Sequence, residues 1–238
     1  MSLVRRLILK MSLKLNLNHS LLLPLLFFFQ ITMGNAQNNC GFFLESNQNK
    51  VDGLIKKAQK SDSFWRYHYK LLGVVLPEFL AESETEIESE IQIFKTLNLF
   101  DNKTVNTISL GPFQMQPQFI YNVIRNSKAL NRNFHFKLES KESDLIRIRN
   151  NIDTFVSIDF QLNILKSFVL MESKRLKQKP SQCINQLSAI YNGLYGKRMK
   201  YKEKYFSKLT CTNLTYSQWS DFLGRYYFNG KGSRKLEN

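Results

Sequence analysis

Histidine and cysteine are scarce: the 238-residue chain has three of each. No Cys-x-x-Cys occurs, and beyond residue 36 the only histidines are His68 and His135. A zinc site or a Cys–His nucleophile pair therefore has little to build on, and no metal or cofactor is expected. Acid is also short, with 19 Asp and Glu against 34 Lys and Arg. The basic residues form no stripe with interleaved aromatics, so no nucleic-acid module is indicated and no nucleic-acid partner is expected. Ten glycines and five prolines gather into no linker, there is no internal repeat, and strand patterning is weak throughout. The longest apolar run, Leu21–Phe29, is too short to span a bilayer comfortably and is interrupted by Pro24.

That run reads as the core of an export signal. Arg5, Arg6, Lys10 and Lys14 precede it, and Gly34-Asn35-Ala36 follows as a small-residue cleavage site, leaving Gln37 as the new N-terminus. Met11 opens a shorter leader that is also complete. The competing reading is a membrane anchor. With residues 1–36 as a signal peptide, the expected location is the periplasm or cell envelope. The formal charge of +15 falls to +11 once the four basic residues of the leader are removed. Such an excess suits an anionic envelope surface, and it equally describes a solvated basic exterior. Export permits disulfides. The expected pair is Cys183 with Cys211, because Cys40 lies in a polar, Asn-rich stretch, residues 37–50, that reads as a flexible lead-in.

From Val51 to the C-terminus the chain reads as one mainly α domain. Phe64, Tyr67, Leu71, Leu72 and Val75 form a helical stripe over Ser61–Leu76, which Pro77 should kink or end. Ser83-x-x-Glu86 is a capping box opening a helix with Ile87, Ile91, Phe94 and Leu97 on one face. Pro117 suits a first helical turn, and Phe119, Ile120, Val123 and Ile124 follow at helical spacing. Further helices are expected over Phe155–Leu176 and from Pro180 or Ser181 to Gly193 or Gly196.

Four short features stand out: Val74-Val75-Leu76-Pro77-Glu78, Ser109-Leu110-Gly111-Pro112-Phe113-Gln114-Met115, Gln116-Pro117, and Ala189-Ile190-Tyr191-Asn192-Gly193. Each has a bland reading. Tyr-Asn-Gly is a common helix C-cap, a glutamate after proline is an ordinary first-turn residue, and Phe113 and Met115 are ordinary core. In this order, however, they resemble the bacterial lytic transglycosylases of the lysozyme-like superfamily. Those proteins carry a glutamate at the end of an apolar helix, then a Gly-Leu-Met-Gln-x-x-Pro stretch, then Ala-Tyr-Asn-Ala-Gly. Gly111, Gln114 and Pro117 match the second motif in register, and Glu78 falls in the glutamate slot. The third motif has one extra residue between Ala189 and Tyr191. The similarity covers about residues 65–200. Two departures are visible. Phe79 stands where the family has serine, and 33 residues separate Glu78 from Gly111, a longer gap than usual. The acidic run Glu82, Glu84, Glu86, Glu88 and Glu90 fills that gap and supplies Glu90 as a reserve acid. The other four read as a solvated face.

The resemblance implies a lysozyme-like helical fold and cleavage of the β-1,4 bond of peptidoglycan glycan strands. Glu78 would be the acid, Ser109 and Gln114 would hydrogen-bond the substrate or the surroundings of the acid, Tyr191 would orient the N-acetyl group or the glutamate, and Asn192 would support the cleft. Most glycosidases need two carboxylates. The family uses one, with the substrate N-acetyl group stabilising the oxocarbenium centre and the sugar's own 6-hydroxyl attacking. An acid of this kind must hold its proton near neutral pH, which burial on an apolar wall favours, and Leu76, Phe79 and Leu80 supply such a wall. The alternatives are a non-catalytic glycan-binding or scaffold protein on the same fold, and hydrolysis to a reducing end.

Overall fold

The computed structural model describes residues 40–99, 104–127, 140–194, 208–209 and 214–229. The expected leader (residues 1–36), Cys211, most of the polar stretch 126–143 and the basic segment after Lys197 as far as residue 207 lie outside them. In chain order the elements are α1 (Cys40–Ser46), α2 (Gln48–Ser61), α3 (Ser63–His68), a 3-10 segment (Tyr69–Val74), α4 (Leu76–Ala81), α5 (Glu84–Asn98), a 3-10 turn (Thr104–Thr107) and α6 (Pro117–Asn126). After these come α7 (Lys141–Asn150), α8 (Ile152–Phe155), α9 (Ile158–Leu176), a 3-10 turn (Pro180–Gln182), α10 (Ile184–Ala189), a π turn (Ile190–Leu194) and α11 (Tyr216–Asn229). The described residues contain no strand, and Leu110 and Met115 form an isolated bridge. The chain is mainly α. No described helix is long and apolar enough to cross a membrane.

The buried side chains form one cluster. Its axis is α9, which buries Phe160, Leu162, Ile164, Leu165, Phe168 and Val169 and packs on α2, α6 and α10. On the other side α11 lies against α10, α4 and the 69–74 segment, with Trp219, Leu223 and Tyr227 inward. Local chemistry explains the helix starts. Ser83 Oγ accepts from the Glu86 amide while the Glu86 carboxylate accepts from the Ser83 amide, completing the expected capping box. Pro117 opens α6 and buries Phe119, Ile120, Val123 and Ile124 as the spacing predicts.

Several expectations fail. Residues 40–50 are not a loose lead-in. They are helical in α1 and α2, Leu44 is buried, and the buried Tyr227 hydroxyl donates to the Leu44 carbonyl at 2.9 Å. Cys40 is disulfide-bonded, whereas Cys183 is a buried free thiol, so the expected Cys183–Cys211 pair is not formed. Tertiary packing of α1 brings Cys40 into the fold, which the polar composition around it concealed.

The single helix over Ser61–Leu76 is also broken. Ser61 ends α2, and Asp62 caps α3 by accepting from the Phe64 amide at 2.7 Å. Past His68 the chain tightens into 3-10 geometry, and Tyr67, expected on the buried stripe, is 82% exposed. The helical run does end just ahead of Pro77, at Val74, and Pro77 then lies in the first turn of α4, where its missing amide costs nothing. The long helix begins at Ile158 rather than Phe155, because Ser157 caps it by accepting from the Phe160 amide.

Candidate functional site

Glu78 sits in the first turn of α4 between buried Pro77 and Phe79, with only 13% of its side chain exposed. It opens into a cleft of about 190 Å³ that Ser109, Gln114, Tyr191 and Asn192 also line. All five residues taken from the three separated motifs thus meet in one place. Met115 and Phe119 form the apolar part of the wall, and Gln118 and Asn122 of α6 extend it with amides. Met115, expected to be core, is both buried and a wall residue. Phe113 is core, edge-on to Phe79 at 6.1 Å. Ser109 is half-buried, 3.5 Å from the Gln116 amide, and Asn192 is exposed at the rim.

The turn Leu110–Met115 is what presents Gln114. Leu110 and Met115 exchange backbone hydrogen bonds at 3.2 and 2.9 Å, and the Gln114 amide donates to the Gly111 carbonyl at 2.9 Å. Two residues take left-handed backbone angles, Gly111 at φ 76° and Gln114 at φ 53°. For Gln114 this costs about 1 kcal/mol or more, so the surroundings must hold it. Gln161 of α9, 1% exposed, does so from below. Its Oε1 accepts from the Phe113 amide at 2.8 Å and its Nε2 donates to the Leu110 carbonyl at 2.9 Å. A Cβ at position 111 would lie 2.6 Å from that Nε2, so the motif glycine is needed twice, for its φ and for the closeness of Gln161. From above, the Tyr191 hydroxyl donates to the Phe113 carbonyl. The Tyr191 ring packs on Phe119, Phe168 and Tyr216. Tyr191 is therefore a strut for the turn. Burial and the nearby Glu78 push its phenol well above the usual range, so it stays protonated.

The charges converge on Lys208. Its ammonium donates to Glu78 Oε2 at 2.9 Å, to Glu82 Oε1 at 2.5 Å and to Gln114 Oε1 at 3.3 Å. Gln114 turns its Nε2 to Glu90 Oε2 at 2.7 Å, linking the reserve acid to the same network. Glu90 is buried on α5 behind Gln114 and is not among the residues lining the cleft. Burial raises the Glu78 carboxyl, Lys208 pulls it back, and Glu82 adds repulsion; the net direction is up. Burial likewise lifts Glu90 to about 7, against the hydrogen bond from Gln114. Burial works against the Lys208 charge, but Glu78 and Glu82 outweigh it and hold the ammonium protonated. Glu84, Glu86 and Glu88 are exposed as expected, whereas Glu82 is buried against Lys208 rather than on a solvated face.

A second hollow, of about 410 Å³, lies between the 69–74 segment, α10 and α11. It is larger, yet its one carboxylate, Asp221, is paired with Arg225 at 2.5 Å, so it offers no poised acid. Among the described residues no group of His, Cys, Asp and Glu could hold a metal ion. Sequence reasoning missed Lys208, Glu82 and Gln161. Glu82 could have been found from its i+4 spacing to Glu78. Gln161, polar between Phe160 and Leu162, carried a faint signal. Lys208 had none, standing 130 residues from Glu78 among many other basic residues. Compared with family models, curated proteins and solved structures, the chain matches none.

Proposed function

We propose that this is a lysozyme-like, exported envelope protein that cleaves the β-1,4 MurNAc–GlcNAc bond of peptidoglycan as a lytic transglycosylase, with Glu78 as acid and base. The observation that carries the reading is the convergence of Glu78, Ser109, Gln114, Tyr191 and Asn192 on one cleft. Its mixed apolar and amide walls suit a neutral sugar, and its modest volume suits one ring at the acid with the strand lying across the surface. The excess basic charge favours an anionic wall.

Protonated Glu78 gives its proton to the glycosidic oxygen as the C1–O bond breaks, and the substrate N-acetyl oxygen stabilises C1. The Glu78 carboxylate then takes the proton of the sugar's 6-hydroxyl as O6 bonds to C1. A 1,6-anhydro end forms, the acid is restored and no water is consumed. Ser109 supplies a hydroxyl contact to the ring and Asn192 an amide at the rim, while Gln114, whose Nε2 is held by Glu90 and the Gly111 carbonyl, offers its Oε1. One observation favours the non-catalytic glycan-binding reading instead: the Lys208 ammonium on Glu78 stabilises the ionised carboxylate, the wrong state for a proton donor.

Purified sacculi digested with wild type and Glu78→Gln, with fragments read by mass spectrometry, separate these readings. Anhydro-muropeptides are expected from wild type and a loss of about 10²-fold or more in the variant. Reducing ends would indicate hydrolysis. Folded wild type that binds sacculi and releases nothing would establish the binding role. Activity that survives Glu78→Gln and dies with Glu90→Gln would move the acid to Glu90.

A further inference from the structure

Lys208 fits no part of the resemblance, yet it bonds directly to Glu78 and Gln114, two of the residues that line the cleft. It bonds three groups from three segments: Glu78 in α4, Glu82 just past its end and Gln114 in the turn. The exposed fractions are 28% for the Lys208 side chain, 13% for Glu78 and 9% for Glu82. These charges are only weakly screened by water, so their signs govern the site. One ammonium bonds two carboxylates, and a second, Lys50, acts on Glu82 without an ion pair. Glu90 and the Tyr191 phenol also face Glu78, and Lys50 bonds the Glu82 carbonyl at 2.8 Å while lying over the Phe79 ring. None of these three makes an ion pair with Glu78, which leaves Lys208 as the described counter-ion.

We infer that Lys208, anchored by Glu82, is a positioning residue for Glu78, and that the division of its ammonium between the two carboxylates sets the pH range in which Glu78 carries its proton. Glu82 competes for the ammonium and so weakens its pull toward the ionised form of Glu78. The arrangement makes the Lys208–Glu78 contact the one that adjusts the acid. As an account of catalysis the inference rests on Glu78 being the acid; as an account of electrostatics it does not.

The geometry makes a signed expectation. Lys208→Met removes the counter-ion and leaves two neighbouring buried carboxylates, so the Glu78 titration moves up by about one to three pH units. Glu82→Gln removes the competitor, gives the ammonium to Glu78 alone and moves the titration down. Lys208→Arg keeps the charge and stays near wild type. The readout is the carboxyl carbon resonance of ¹³C-labelled glutamate in the full folded chain, with the Glu78 signal assigned by its loss in Glu78→Gln. On sacculi, the alkaline limb of muropeptide release moves in the same directions, because a proton donor fails as pH rises through its own titration. A merely structural lysine would lower stability without opposite shifts in the two variants. Shifts of the same sign, or none, overturn the inference. If Lys208→Met does not fold, Glu82→Gln and Lys208→Arg decide it. Opposite resonance shifts without any wall cleavage would support the inference while refuting the transglycosylase reading.

Discussion

At the scale of single residues, Glu90 shows how burial converts an ordinary acid into a titrating group near neutrality. Its carboxyl rises from 4.5 to about 7, chiefly through burial. A carboxyl raised on folding contributes stability that is fully present below its unfolded value and is lost as pH climbs through the folded one. Stability should therefore fall between about pH 4.5 and about pH 7, and Glu78, raised in the same direction, adds to the fall. Glu90→Gln keeps an acceptor for the Gln114 amide but removes the charge. Urea unfolding midpoints from about pH 4.5 to about pH 8 should decline less steeply in the variant than in wild type. Equal slopes would mean that Glu90 ionises as an exposed carboxyl does. Glu90 stood out in the sequence as the reserve acid of a five-glutamate run, but the spacing of that run did not tell that Glu82 is buried as well.

At the scale of elements, the turn Leu110–Met115 is built like a clasp, with Gln161 below, Tyr191 above and two left-handed residues between. Gly111→Ala tests it. The left-handed angle costs about 1–2 kcal/mol for alanine. The new Cβ would also displace the Gln161 amide, and loss of its buried bonds costs about 1–3 kcal/mol more. The expected loss in urea unfolding is about 2–5 kcal/mol. Gly53→Ala is the internal control: it lies in α2 with nothing within 4 Å of the added carbon, so it should be neutral or stabilising by up to about 1 kcal/mol. Equal effects at both positions would argue against the clasp. The start of this element was readable, because Gly111, Pro112 and Pro117 punctuate it. Its support was not, because Gln161 lies 50 residues beyond Gly111 on another helix.

At the scale of the whole molecule, α1 ties the N-terminal part of the described chain to its C-terminal helix through the Tyr227–Leu44 hydrogen bond, with Cys40 in a disulfide. Cys183 lies apart from that link, 2% exposed, with its thiol pushed up by burial. Iodoacetamide followed by peptide mapping should leave Cys183 unlabelled in the native protein and label it after unfolding without reductant. Cys40 should label only after reduction. Reduction should also cost about 2–4 kcal/mol of stability, the usual worth of a native disulfide. Labelling of Cys40 without reductant, or protection of Cys183 in the unfolded protein, would refute this assignment.

The sequence by itself determined the mainly α class, the capping box at Ser83, the start of α6 at Pro117 and the residue types of the cleft. These depend on local rules: side-chain period, cap chemistry and the missing amide of proline act over a few residues. Only the tertiary structure decided that Glu78, Ser109, Gln114, Tyr191 and Asn192 share a cleft, that Glu82 is buried, that Cys183 stays free and that Lys208 closes the charge network. Those are contacts across 24 to 130 residues of chain, made because burying apolar helix faces brings distant polar groups together. Once water is excluded, such groups must pair, and local sequence patterns do not record which partner the packing will deliver.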